Sequence, residues 1–283
     1  MPDDKTNRID RILIALDASP HSRAALNAAV RLAMVLDADV QGLFIEEQSV
    51  IRAAQMPFAH EVRAFSTGPR RLTGRRVERQ LRDRAEHAKH LMERWAEEAD
   101  LDHGFEVVRG EVVPEVLDAA GEADLLAFGK AGSSSSRRRL GPKARALLDQ
   151  SPTPVLVLRE HLRYFQPVLT YFDGSDEAAR ALRLAARLAE RSEASTLKVL
   201  LPCTNAARYA ALRRQVRSAH ENRVQGLYAR AVSRPAPAEL AAVAREECNG
   251  LTILPDVLQA AAPDEVDAQS FLYELDRPVV LIR

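Results

Sequence analysis

The densest chemistry in the sequence lies between Gly129 and Pro142. It reads Gly129-Lys130-Ala131-Gly132, four serines from Ser133 to Ser136, three arginines from Arg137 to Arg139, then Leu140-Gly141-Pro142. Glycines admit close approach to the backbone, and consecutive amide N–H groups ahead of a helix form a concavity suited to anions. Ser133 and Ser134 add hydroxyl donors and the arginines add positive charge, so phosphate is the group this set would hold. Asp17, which ends an apolar run, is an acceptor suited to a ribose or a base. The same residues also fit a plain Ser/Gly/Arg loop and an aspartate that caps a helix, and the pattern alone leaves both readings open. No Gly-x4-Gly-Lys-Ser/Thr, nucleophile elbow or His-Glu-x-x-His occurs, so nothing points to a standard NTPase, esterase or metalloprotease.

The elements that must position these residues alternate between strand and helix. Ile12 to Leu16 is a continuous apolar run, the mark of a strand buried on both faces of a parallel sheet. Ser19-Pro20 then opens a helix whose Ala25, Leu26, Ala29, Val30, Leu32, Ala33 and Leu36 form a broad apolar stripe. Strands are predicted at Val40–Ile45, Phe105–Val108, Leu125–Phe128 and Val155–Leu158, with helices over Val77–Ala99, Pro114–Ala120 and Lys143–Leu148. Pro57 to Arg76 is polar, Arg-rich and broken by glycine and proline, and reads as a long exposed loop. Ligands in such open sheets lie beyond the carboxyl ends of the strands, which is where Asp17 and Gly129 fall.

The pattern then repeats. Pro167-Val-Leu-Thr-Tyr-Phe-Asp173-Gly174-Ser175 matches the opening of the first unit, and Arg277-Pro-Val-Val-Leu-Ile-Arg283 matches its close, Thr153-Pro-Val-Leu-Val-Leu-Arg159. The second unit has strands at Val168–Phe172, Leu197–Leu201, Leu227–Val232 and Leu251–Leu254, with helices at Asp176–Glu190, Ala206–Glu221 and Ala238–Glu247. A further helix precedes its closing strand. Asp17 to Asp173 is 156 positions and Pro154 to Pro278 is 124, so the second copy is 32 residues shorter, and some of the first copy's chemistry is expected to have gone with them. The domains are 1–160 and 161–283. In copy two the fourth strand runs into Leu254-Pro255-Asp256, with no glycine thereafter, so its phosphate loop is degenerate and no cofactor is expected there.

Lys+Arg and Asp+Glu are both 40, so no global field draws the chain to nucleic acid or a membrane. Cys203 and Cys248 have neither metal-ligand spacing nor the density of a disulfide framework, and no apolar run approaches the roughly 20 residues of a membrane span. Met-Pro-Asp-Asp-Lys at the start carries no apolar signal region. A soluble protein of a reducing cytoplasm, with no membrane or nucleic-acid partner, is the expectation. His87 and His90 have a metal-compatible spacing without a partnering carboxylate pattern, and no metal site is expected. The arginines from Arg70 to Arg84, interspersed with Glu78 and Asp83, read as a salt-bridged helix face.

Ile12-Leu-Ile-Ala-Leu-Asp17-Ala-Ser19-Pro20, Ala123-Asp-Leu-Leu-Ala-Phe-Gly129-x-x-Gly132 and the closing Pro154-Val-Leu-Val together resemble the universal stress protein family, specifically its tandem-domain members. The resemblance covers nearly the whole chain. It implies an α/β fold of two tandem open-twisted parallel five-stranded sheets flanked by helices, Rossmann-like and similar to adenine nucleotide alpha hydrolases, packed as an intrachain pseudo-dimer. It also implies a regulatory stress-response protein rather than an enzyme, with no catalytic residue, an unidentified protein partner and room for further homo-oligomerisation. Residue by residue, Asp17 and Ile45 would meet the adenine and ribose of ATP or another adenine nucleotide, Gly129 and Gly132 its phosphates, with Ser133 and Ser134 assisting and Gly141 completing the loop. The family pattern is Gly-x2-Gly-x9-Gly-Ser/Thr. Here only eight residues separate Gly132 from Gly141, and Pro142, with neither hydroxyl nor N–H, replaces the Ser/Thr. A slow ATP-hydrolysing switch and a nucleotide-free scaffold are the alternatives.

Overall fold

A computed structural model describes residues 8–16, 20–56, 60–61, 70–71, 73–129, 140–158, 165–191, 195–220, 222–232, 237–256 and 277–282. In chain order the elements of the first half are β1 (Arg11–Leu16), α1 (Pro20–Leu36), β2 (Asp39–Glu47), α2 (Gln48–Gln55), β3 (His60–Glu61), β4 (Arg70–Arg71), α3 (Gly74–Glu98), β5 (His103–Gly110), α4 (Val112–Ala120), β6 (Leu125–Gly129), α5 (Pro142–Gln150) and β7 (Val155–Leu158). The second half contributes β8 (Val168–Tyr171), α6 (Asp176–Glu190), β9 (Thr196–Pro202), α7 (Ala206–His220), β10 (Gly226–Val232), α8 (Pro237–Glu247), β11 (Thr252–Pro255) and β12 (Val279–Ile282). The helix expected between β11 and β12 lies outside the described residues.

Ten strands make one sheet in the order β10-β9-β8-β11-β12-β7-β6-β1-β2-β5. Within each half every neighbour is parallel, and the order in one half is the order in the other. The halves meet where β7 and β12 pair antiparallel, Val279 opposite Val157, Val280 opposite Leu156 and Leu281 opposite Val155. Exchanging the two closing segments maps this register onto itself, as a local two-fold axis through Leu156 and Val280 requires.

Burial on both faces explains the unbroken apolar strands. On one face Ile12, Ile14, Leu16, Phe44, Val168, Val199 and Ile253 pack beneath α1, α3, α6 and α7. On the other Leu13, Leu43, Ile45, Leu126, Leu169, Leu200 and Leu254 pack beneath α4, α5 and α8. Both cores run through the seam without a break. On the α1 side the seam is also tied by Arg191, whose Nη1 donates to the carbonyl of Val35 at 3.0 Å, and by Arg31, whose guanidinium lies 5.8 Å from the Phe165 ring centre. Asp124, part of the motif before β6, serves the backbone: its Oδ2 accepts the N–H groups of Asp10 and Arg11, each at 2.9 Å, and so anchors the start of β1.

Two expectations need correction. Residues 57–76 are not one loop: β3 and β4 pair antiparallel within the stretch, and α3 already begins at Gly74, while α2 precedes it unforeseen. Second, the shortening of copy two does not fall at the phosphate loop. Between β2 and β5 lie 55 residues (48–102), and between β9 and β10 only 23 (203–225), which is the whole difference of 32. The connections β6 to β7 and β11 to β12 remain alike, 25 residues (130–154) against 23 (256–278). What copy two lacks is α2, the β3–β4 hairpin and the length of α3; between α2 and α3 lies a small satellite core of Ile51, Ala54, Val77 and Leu81.

Candidate functional site

In each half the first and fourth strands lie side by side while their following connections leave in opposite directions, so a crevice opens between their carboxyl ends. In the first half that crevice lies between Leu16 of β1 and Gly129 of β6. Asp17, Gly132, Ser133 and Ser134 follow from those two ends and lie outside the described residues. Ile45, Gly129 and Gly141 are described. Gly129 is the last residue of β6 and pairs with Leu158. Gly141 is the N-cap of α5, at φ −63° and ψ 156°, and its carbonyl accepts the N–H of Arg145 at 2.9 Å. That conformation is open to any residue, so the shape of the turn does not demand glycine there. Pro142 occupies the first helical position, where a missing N–H costs the helix nothing and denies a ligand a donor.

The floor of the crevice is apolar. Ile45, 6% exposed, sits in the core beneath α4 and α5, and around it Ala15, Val108, Val112 and Val113 are only partly buried. The equivalent of Ala15 in the second half, counted from the aspartate of each opening motif, is Tyr171. It is 4% exposed and packs into the corresponding core. Burial first, then the charge of Asp173, push its phenol up to about 12, with Arg208 opposing, so it stays neutral. Where the first half has a small side chain, the second thus has a buried, neutral ring.

Asp173 has a local task. Its Oδ1 accepts from the Ser175 N–H at 2.9 Å and from the Ser175 hydroxyl at 2.7 Å, and the Ser175 Oγ caps α6 by accepting the N–H of Ala178 at 3.2 Å. Gly174 between them takes φ +94°, a left-handed conformation that favours glycine. In copy two, therefore, the aspartate holds the turn whose serine caps α6.

Two ion pairs stand at the carboxyl end of β2, one on each face of the sheet. Glu46, buried on the α3 side, accepts from Arg109 Nη2 at 2.8 Å and Nε at 3.1 Å, with Glu78 at 3.9 Å from the same guanidinium. On the opposite side Glu47 accepts from Lys143 of α5 and from the Ser49 hydroxyl. Burial opposes ionisation of Glu47 more than any other influence, yet the bonds from Lys143 and Ser49 with the Lys143 charge hold its carboxyl below the ordinary range. Sequence reasoning passed over Ala15, Val112, Val113, Glu47 and Lys143. Aligning the copies on Asp17 and Asp173 would have exposed the Ala15–Tyr171 contrast, whereas Glu47 and Lys143 are 96 residues apart and carry no sequence signal.

The remaining candidates are structural. Cys248 is buried, donates to the Pro167 carbonyl at 3.0 Å, and has its thiol pushed up chiefly by burial, which suppresses the reactive thiolate. His90 lies 3.5 Å from Glu93 and 4.0 Å from Glu86 on an exposed helix face. Among the described residues no cluster of three metal-ligating side chains occurs, and no helix is long and apolar enough to cross a membrane. Among the described residues, α3 carries the i,i+4 pairs Lys89–Glu93 and Arg94–Glu98 in its second half, and Glu78 in its first half faces Arg109.

The whole architecture has solved counterparts. A universal stress protein from Archaeoglobus fulgidus DSM 4304 superposes with a TM-score of 0.71 at 16% identity, over 97% of this chain and 96% of that one. A functionally unknown protein from Pseudomonas aeruginosa PAO1 superposes with a TM-score of 0.64, also at 16% identity, over 99% and 94% of the two chains. At that identity the likeness is one of fold. No curated protein matches the chain. The profile of the universal stress protein family matches residues 8–159, the half that carries the open crevice and more than half of the length, and the chain belongs to that family.

Proposed function

We propose that this member of the universal stress protein family is two copies of one domain, residues 1–160 and 161–283, joined as an intrachain pseudo-dimer. Copy one binds an adenine nucleotide, and copy two is retained for packing. The protein acts as a non-catalytic, cytoplasmic regulator in a stress response, working through a bound nucleotide and a protein partner.

The observation that carries the nucleotide assignment is the contrast between Ala15 and Tyr171 at the same place in two otherwise matching crevices. At that place the first half has a small, partly buried side chain, which leaves room for a base in this reading, and the second has a buried ring. Asp17, Gly129, Gly132, Ser133, Ser134 and Gly141 then supply the polar partners in this reading. Pro142 removes one expected phosphate donor, so ATP should bind little better than AMP.

The test is calorimetric titration of AMP and ATP into the wild type and into Ala15→Tyr, which copies the plug of the second half into the first. One site per chain is expected, with affinity falling at least about tenfold in the variant while the melting temperature holds, since loss of a stacked base is worth about 1–3 kcal/mol. Equal affinity in both proteins would remove the assignment. Pro142 favours the nucleotide-free scaffold as the second reading, and absence of any binding by adenosine, AMP and ATP would select it.

A further inference from the structure

The ion pair between Glu47 and Lys143 lies outside both cores and ties the carboxyl end of β2 to the first turn of α5. Strands alternate sides with period two, so Glu47 shares the face of Ile45 and lies one step beyond it, above the apolar floor. Lys143 approaches from the first turn of α5, the helix that joins β6 to β7. Sheet order puts β1 and β6 between β2 and β7, so a bond from β2 to α5 spans the mouth opened by those two strands. Ser49 adds a second donor to the same carboxylate. The carboxylate ends β2 and stands at the N-cap of α2, a helix that copy two lacks; by sheet register its counterpart there is Thr204, with no charge.

Resting on the nucleotide reading above, we propose that Glu47 is a specificity-determining residue. By holding Lys143 it keeps that cation from a ligand's phosphates and sets a fixed negative charge beside their path, so the crevice prefers the least phosphorylated adenine ligands. Lys143 is the counter-charge that becomes available when Glu47 lets go. A nucleoside leaves the pair intact, whereas each added phosphate must compete with Glu47 for the same ammonium group. Both side chains are partly open to solvent, 51% for Lys143 and 27% for Glu47, so the pair can open without unpacking the core.

The experiment titrates adenosine, AMP and ATP into the wild-type chain, Glu47→Gln, and the double variant Glu47→Gln with Lys143→Met, at one low salt concentration with a chelator present. Glutamine keeps the shape of the side chain and removes its charge. The expected result is that Glu47→Gln raises ATP affinity about tenfold or more, raises AMP affinity less, and leaves adenosine within about twofold; the double variant should lose the gain. Melting temperatures of all three proteins report on folding. If adenosine binds and the ratio of ATP to adenosine affinity is the same in wild type and Glu47→Gln, or falls in the variant, the selectivity role is overturned while the nucleotide site survives. If the gain persists without Lys143, the carboxylate acts by repulsion alone and the role given to Lys143 is overturned. If none of the three ligands binds any of the proteins, the nucleotide reading falls, and the selectivity role falls with it.

Discussion

His220 shows how a single residue can couple this fold to pH. It ends α7, is 6% exposed, and its Nδ1 has no hydrogen-bond partner among the described residues. Burial, then the charges of Arg223 and Arg183, depress its pKa below the ordinary value of about 6.5. The unfolded chain therefore takes up a proton near that pH where the folded chain does not. The contribution to stability is complete above about pH 6.5 and is lost as pH falls through the lower, folded-state value. Urea midpoints measured from pH 8 to 5 should fall toward acid in the wild type and fall less steeply in His220→Leu; parallel curves would assign the acid sensitivity to other groups. Residue identity was legible in the sequence where it repeats, as with Asp17 and Asp173, but its task was not. Only the hydrogen bonds of Asp173 to Ser175 distinguish a helix cap from a ligand contact.

At the level of elements, the strands inside the large sheet were easy to read, for a reason visible in burial. β1, β6, β7, β8, β11 and β12 are covered on both faces and appear as apolar runs, whereas the edge strands β5 and β10 alternate and extend beyond the segments predicted for them. α2 was missed because it buries only Ile51 and Ala54 in eight residues and has no side-chain cap. The first turn of α3 was taken for loop because glycine and arginines offer no apolar stripe, and its N-cap Thr73 makes no side-chain bond. α6, by contrast, has both stripe and cap and was placed to the residue. Ser175→Ala should therefore cost about 1 kcal/mol in denaturant unfolding, and a loss below about 0.3 would mean that Asp173 alone holds the turn. Gly250 is the element-scale counterpart in packing. A Cβ added there would lie 2.7 Å from the carbonyl oxygen of Phe165 and 2.7 Å from the Gln166 carbonyl carbon, both backbone atoms of the chain entering β8. Leu251 also donates to the Phe165 carbonyl at 3.2 Å, so this backbone has little freedom to retreat. Gly250→Ala should destabilise by about 1–3 kcal/mol, and a neutral result in thermal or chemical unfolding would show that the entering chain yields.

For the whole molecule, the controlling feature is the antiparallel meeting of β7 and β12 with two continuous cores running beneath it. The repeat made the recurrence of the closing strands legible and the family resemblance implied that they meet, but not that their antiparallel pairing would join ten strands in one sheet. Residues 8–159 expressed alone should leave β7 as an open apolar edge and therefore self-associate or lose stability. Sedimentation showing a monomer as stable as the full chain would contradict this. The connector between the halves makes their meeting an intramolecular event, so the melting temperature of the full chain should be independent of protein concentration over a hundredfold dilution. There is also a consequence for stoichiometry. A single domain with a free closing strand has a valence of one along that edge and can be matched to any compatible neighbour. This chain has satisfied that valence within itself, and the ends of its sheet are the dissimilar strands β5 and β10. Mixed with its own isolated first half, the intact chain should take up none of it; exchange detectable by native mass spectrometry would mean that the seam opens and that the partner is chosen by competition rather than by covalent inheritance.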